Sequence, residues 1–271
     1  MSSDEGRAEI PKLGLGTWEN TDPEACVESV AHALEIGYRH VDTAQAYDNE
    51  EHVGEGIAQA GVDREDVFLA TKVWTSNLAH DDVLASTEES LDRLGVDGLD
   101  LLYVHWPAHE YDPEDTLAAF DELYDEGTID RVGVSNFEPR HLDTARETLD
   151  APLFANQVEM HPLLQQDELV EYAREHDLTL VAYSPLARGK VFEVDELSAI
   201  ADKHGVSEAQ VSLAWLAQKD DVVAIPKASS YDHIEDNFDA LDLELDDEDV
   251  EAIENLDREE RQVDPDFAPW N

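Results

Sequence analysis

The chain has 271 residues with a hydrophobic fraction of 42%, enough to bury a sizeable core in one large domain or two small ones. It carries 66 acidic residues against 17 basic ones, a formal net charge of -49, and a field of that sign repels nucleic acid and anionic membranes. No apolar run is long enough to span a bilayer, the start MSSDEGRAEIPK lacks the basic and apolar regions of a signal peptide, and Cys26 is the sole cysteine, which excludes an internal disulfide and fits a reducing cytoplasm.

The acids are spread along the chain and do not form a tail. An acidic decoy for a basic partner is one reading. The acids also sit at exposed positions of ordinary helical patterns, which favours a halophile-like surface adapted to molar salt, where the Debye length is only about 3 Å. The bias makes lysine informative: only Lys12, Lys72, Lys190, Lys203, Lys219 and Lys227 are present. A lysine at the end of a buried strand in such a chain is poorly explained as surface decoration.

In chain order, short β-rich apolar runs alternate with segments of helical period. The first run is LGLGT from Leu13, followed by the helical PEACVESVAHALEIG, and the second is YRHVDT from Tyr38. VFLATKV from Val67 precedes the helical DVLASTEESLDRLG, and LDLLYVHW from Leu99 precedes PEDTLAAFDELYDEG. RVGVSN from Arg131, FANQVEM from Phe154, LTLVAYS from Leu178 and VVAIPK from Val222 complete the set. Several of the helical segments stop at Gly. Eight strands alternating with helices predict a parallel α/β fold, and eight is the number of a closed (β/α)8 TIM barrel. A doubly wound sheet is the rival, but GLGTWEN after the first strand is a poor match to GxGxxG. No linker or composition break interrupts the chain, so residues 1–271 read as one domain with a short irregular tail from about Asn255, where Trp270 is placed to cap the barrel mouth.

Barrel chemistry sits at the C-terminal ends of the strands. Those ends carry Thr17 and Trp18; Asp42 with Tyr47; Lys72 with Trp74; His105 with Trp106; Ser135 with Asn136; Gln157 with Glu159; Tyr183 with Ser184; and Lys227. Asp42, Tyr47, Lys72 and His105 form a coherent set. Free tyrosine titrates near 10, too high for an efficient donor at neutral pH. An adjacent ammonium stabilises tyrosinate, a carboxylate keeps that lysine charged in a desolvated site, and a histidine can orient a carbonyl oxygen. Trp18, Trp74 and Trp106 would wall a small-substrate pocket. Taken singly, each residue also has a plain structural role: a helix cap, an ion pair, packing, a satisfied core histidine. The HWPAH pair, His105 and His109, has i,i+4 spacing, but Pro107 argues against a helix presenting both to zinc, and no metal is expected.

GLGTW, DTAQAYDNEEHVGEGI, TKVW, LLYVHWP, GVSNF, NQVEMHPLLQQ, AYSPLARG and IPKASS, in this order from Gly14 onward, resemble the aldo-keto reductase family, most closely its small prokaryotic, 2,5-diketogluconate reductase-like members. A monomer is the default expectation; the resemblance implies an NAD(P)H-dependent reductase of small aldehydes, ketones or keto-sugars. In it Tyr47 would be the general acid, tuned by Lys72 and Asp42, with His105 orienting the carbonyl. NADPH would lie across the barrel mouth, its carboxamide held by Ser135, Asn136 and Gln157 and its nicotinamide stacked on Tyr183. Ser184, Leu186 and Arg188 would meet the pyrophosphate, and Lys227, Ser229, His233, Asp236 and Asn237 the adenosine end. His233 stands where NADPH-preferring members commonly have arginine, and Ala228 where they have serine. Histidine meets a 2′-phosphate less well than arginine does, so NADH is expected to serve as well. A non-catalytic nucleotide-binding module of the same superfamily is the alternative; the complete set of four argues against it. A carboxylate-based barrel hydrolase, suggested only by the abundance of acids, leaves Lys72 and Lys227 without a purpose.

Overall fold

The computed structural model describes residues 10–271. The first nine residues, and with them most of the stretch on which the expectation of no signal peptide rests, lie outside the described residues.

Eight strands pair in parallel, each with the next in chain order. They are β1 (Leu15–Gly16), β2 (His40–Asp42), β3 (Phe68–Val73), β4 (Leu101–Val104), β5 (Val132–Ser135), β6 (Leu153–Glu159), β7 (Thr179–Tyr183) and β8 (Val222–Ala224). Each falls within, or overlaps, one of the eight runs expected from sequence. The ring is closed by bonds between β8 and the residues around β1. Gly14 N donates to Ala224 O at 2.8 Å, Gly16 N to Pro226 O at 3.0 Å, and Ala224 N to Lys12 O at 3.0 Å. Gly16 permits this closure, since a Cβ there would stand 2.7 Å from the Ile225 carbonyl oxygen, and a Cβ on Gly14 would stand 2.4 Å from the His40 ring of β2. The fold is a (β/α)8 barrel.

The helices cover the outside of the ring. They are α1 (Pro23–Ile36), α2 (Glu50–Gln59), α3 (His80–Leu94), α4 (Pro113–Asp125), α5 (Pro139–Thr148), α6 (Asp167–His176), α7 (Asp195–His204), α8 (Glu208–Ala217), α9 (Tyr231–Asp239) and α10 (Asp247–Glu254). Local chemistry sets their ends. Asp22 caps α1 by accepting from Ala25 N at 2.9 Å, and Pro23 starts the helix without needing the N–H it lacks. Asp112 caps α4 through the amides of Glu114 and Asp115. Acids fill the first turns of α2, α3, α4, α6, α7 and α10, where the helix dipole favours them.

Alternation along the strands divides the core. Phe68, Ala70, Leu101, Tyr103, Ala155, Val181, Val223 and Ile225 form an inner cluster. A larger cluster, including Val30, Leu69, Phe120, Leu180 and Trp215, fills the layer between sheet and helices. His40 is fully buried, and burial together with the nearby Lys72 charge lowers its pKa to about 3. It is therefore a neutral packing group at physiological pH.

With 66 acids and 17 bases, there are too few cations to give most carboxylates a partner of their own. The fold therefore works against its own charge unless salt screens it. The melting temperature is expected to fall steadily as KCl is reduced from about 2 M to about 0.1 M, where the Debye length grows to roughly 10 Å. A melt unchanged over that range would contradict the salt-adapted reading.

Candidate active site

The loops after the strands carry most of the strained backbone. Nine described non-glycine residues have positive φ, and eight of them (Glu19, Asp48, His109, Asn136, Gln166, Ser184, Ala187 and Arg188) follow strands at the C-terminal rim. Only Asp177, at the end of α6, does not. Strain gathered at one rim marks a built site.

Asp42 ends β2 and Lys72 lies one residue before the end of β3. Tyr47 ends the 3₁₀ turn Gln45–Tyr47, and His105 follows β4 directly. Parallel register brings these four together. Lys72 is 0% exposed, and its Nζ donates to Asp42 Oδ1 at 2.5 Å, to Thr43 O at 2.7 Å and to Tyr47 Oη at 3.4 Å. Three acceptors match the three donors of an ammonium. The other carboxylate oxygen, Asp42 Oδ2, accepts from Gln157 Nε2 at 2.7 Å. Burial pushes Asp42 up and Lys72 down, toward their neutral forms. Their mutual attraction and hydrogen bonds oppose this, and the fully occupied geometry is that of an ion pair.

Burial, and then the Asp42 charge, hold the Tyr47 hydroxyl well above the usual phenol range. An adjacent Lys72 ammonium favours tyrosinate, but in the fold desolvation acts in the opposite sense and keeps the proton on the oxygen. His105 is pushed well below the usual imidazole range, first by burial and then by the Lys72 charge, so its ring is neutral at pH 7. The His105 ring meets Tyr47 edge-on with centroids 5.9 Å apart and Trp74 edge-on at 5.0 Å.

Around this group opens a cavity of about 1160 Å³. That exceeds the usual range for a single small ligand, roughly 300–1,000 Å³. Trp18, Trp74 and Trp106 all line it, as do Asp42, Tyr47 and His105. Ser135, Asn136, Gln157, Tyr183, Ser184, Leu186, Arg188 and Lys227 line it too. The amide and hydroxyl groups are knitted together: Tyr183 Oη donates to Asn136 Oδ1 at 2.8 Å, Asn136 Nδ2 to His105 O at 3.1 Å, and Ser135 Oγ to Gln157 O at 2.9 Å. Arg188 lies over the Trp18 ring, 4.5 Å from its centroid. Lys72 is beneath the cavity wall rather than on it.

Four expected residues lie away from the cavity wall. Ser229 and His233 are exposed, and His233 stands in the first turn of α9. Asp236 accepts from Ser207 Oγ at 2.7 Å, so it ties α9 to the start of α8. Asn237 is buried within α9. His109 is turned to Thr75 Oγ1 at 2.9 Å and packs its ring on Phe267, centroids 4.9 Å apart.

The structure adds residues that sequence reasoning missed. Gln45 lines the cavity; its Oε1 accepts from Trp74 N at 3.0 Å and Asn77 Nδ2 at 3.1 Å, tying the Tyr47 turn to Trp74. Phe192, 51% exposed, comes from the loop after β7. Val263, Pro265 and Phe267 come from the tail. The tail is irregular from Asn255 as expected, but Phe267, not Trp270, reaches the cavity. Trp270 packs against Trp106 with centroids 5.6 Å apart, with Arg261 over its ring at 4.0 Å. Two aromatics, Phe267 and Trp270, stand near the chain end, and the sequence does not say which of them reaches the cavity.

Comparison with known proteins agrees with this geometry. The model of the Aldo/keto reductase family matches residues 12–258. The glyoxal reductase of Bacillus subtilis (strain 168) is 42% identical over 253 residues, covering 93% of this chain and 91% of that protein. The methylglyoxal reductase of Escherichia coli O157:H7 is 39% identical over 267 residues, covering 97% and 99%. Among solved structures, an aldo-keto reductase from a Medee basin deep-sea metagenome library superposes with a TM-score of 0.92 at 34% identity, over 97% of each chain. With eight strands closed into a barrel and relatives of this identity along nearly its whole length, the chain belongs to the aldo/keto reductase family.

Proposed function

We propose that the protein is an NAD(P)H-dependent reductase that converts the carbonyl of small aldehydes, ketones or keto-sugars to an alcohol. The observation that carries this reading is the buried Asp42–Lys72–Tyr47 chain opening, with His105, onto one large cavity. The reductions named for the glyoxal and methylglyoxal reductases support the small-carbonyl assignment.

The residues present fit a nicotinamide dinucleotide. The cavity exceeds the needs of a small substrate alone, and Tyr183 offers it a partly exposed aromatic ring. Ser135, Asn136 and Gln157 offer the donors and acceptors that a carboxamide needs. Arg188 and Lys227 bring two of the chain's scarce cations to the wall, suited to phosphate. When bound, the nicotinamide supplies the two electrons as hydride to the carbonyl carbon.

The chain's own residues do the rest. His105, neutral, hydrogen-bonds the carbonyl oxygen and fixes its position. Tyr47 keeps its proton until charge develops on that oxygen and then donates it from Oη. The Lys72 ammonium at 3.4 Å stabilises the tyrosinate left behind. Asp42, gripped by Lys72 and Gln157, balances the ammonium. Trp18, Trp74 and Trp106 shape the apolar wall and keep water from the reacting oxygen.

His233, exposed in the first turn of α9, is not on the cavity wall, and Lys227, which is, remains to meet a 2′-phosphate. Both cofactors are therefore expected to serve, with NADPH favoured. The test is kcat/KM for each cofactor with one aldehyde. Turnover with both is the expected result. A preference above about a thousandfold, roughly 4 kcal/mol, would contradict the relaxed cofactor choice, and turnover with neither cofactor would contradict the assigned function.

A further inference from the structure

Glu159, at the end of β6, takes no part in the steps above. It is 0% exposed, and a buried carboxylate needs partners on both oxygens. Oε1 accepts from the Gln262 backbone N–H at 2.6 Å and meets His161 Nε2 at 2.9 Å; Oε2 accepts from the Val263 N–H at 2.8 Å. The two amides lie 103 and 104 residues further along the chain, in the irregular tail beyond α10. Gln262 and Val263 are themselves cavity wall, and Phe267 follows them. Phe267 meets the Trp106 ring edge-on at 5.4 Å.

Burying a charge is a weak way to gain stability; apolar packing would anchor a tail more cheaply. What a carboxylate adds is register, since two adjacent amides fit its two oxygens in one way only. Glu159 makes no hydrogen bond to Asp42, Lys72, Tyr47 or His105.

We propose that Glu159 is a positioning residue for the substrate: by gripping the amides of Gln262 and Val263 it fixes the tail and seats Val263 and Phe267 in the pocket wall beside Trp106. The proposal rests on the carbonyl-reductase reading for the site it serves.

Glu159→Gln keeps the shape but turns an NH2 toward one tail amide, leaving two donors face to face. The expected result is a KM for an aromatic aldehyde raised about tenfold, the effect of one unsatisfied buried group. Meanwhile kcat and the Kd for NADPH stay within about threefold, and trypsin cuts faster after Arg258 and Arg261 of the folded protein. Phe267→Ala should raise the same KM, and the double variant should show less than the product of the two effects, because both act through one wall. Should Glu159→Gln fail to fold, Val263→Pro removes the Oε2 donor from the tail side while keeping an apolar side chain, and the same KM rise is expected. An unchanged KM in a folded variant, or fully multiplicative effects in the double variant, would overturn the proposal. Trypsin cleavage needs no turnover. Inactive wild type with a tail released by Glu159→Gln would therefore overturn the reductase reading while supporting the grip.

Discussion

Tyr47→Phe is expected to lower kcat for a small aldehyde by roughly a thousandfold, within the range that a positioned general acid contributes, while the Kd for NADPH stays unchanged. The substitution removes only the oxygen that faces both Lys72 Nζ at 3.4 Å and the cavity. Its ring still packs edge-on against His105. The phenol holds its proton firmly, because burial and Asp42 raise its pKa, and yet its oxygen sits beside an ammonium that would stabilise the phenolate when the proton leaves. His105 cannot substitute: its pKa is depressed, so it carries no acidic proton at neutral pH. Turnover at saturating cofactor and aldehyde is the measurement, and a variant retaining more than about a third of wild-type kcat would remove Tyr47 from the role of donor.

Lys72→Met should cost activity and stability together. The ammonium bonds Asp42, Thr43 and Tyr47 at once. Removing it leaves Asp42 as an uncompensated charge that is only 2% exposed, a change worth about 3–5 kcal/mol. Loss of turnover is expected to equal or exceed that of Tyr47→Phe, since the tyrosinate then has no counter-charge.

The stability loss has a sign in pH. Burial raises the Asp42 pKa and Lys72 is the largest opposing influence, so without Lys72 the folded-state value rises further above the unfolded one. A carboxyl raised in the folded state stabilises fully below its unfolded pKa, and that contribution is lost as pH rises through the folded value. The gap between wild type and variant, read from denaturant melts, is therefore widest at neutral and alkaline pH and narrows on acidification. A gap that widens as pH falls toward 4 would contradict the buried ion pair.

What was legible in the sequence followed from local rules. Strand runs bounded by turn residues located all eight strands, and parallel barrel topology placed Asp42, Lys72, His105 and Gln157 on one rim. The scarcity of lysine made Lys72 and Lys227 stand out. What was not legible depends on distance along the chain or on desolvation. Glu159 meets His161 two residues on, but its two amide partners lie about a hundred residues away, and nothing local in QVEMHP announces those. Phe267 reaches the cavity through a tail without periodicity, so no pattern could separate it from Trp270. Their motif gives the identity of Ser229, His233, Asp236 and Asn237 but not their setting: Ser229 precedes α9, and the other three lie on it. The upward shift of Tyr47 arises from burial, a property of the packed barrel that the residue types around it do not reveal.

The central claim is that the cavity joins a reduced nicotinamide to a carbonyl whose oxygen meets Tyr47 and His105. Its most direct test is to incubate wild-type protein in molar salt with methylglyoxal and NADPH deuterated at both C4 positions, and to weigh the product by mass spectrometry. The account predicts an alcohol carrying one deuterium on carbon, formed in step with cofactor consumed. No alcohol, or an alcohol without deuterium on carbon, would contradict it.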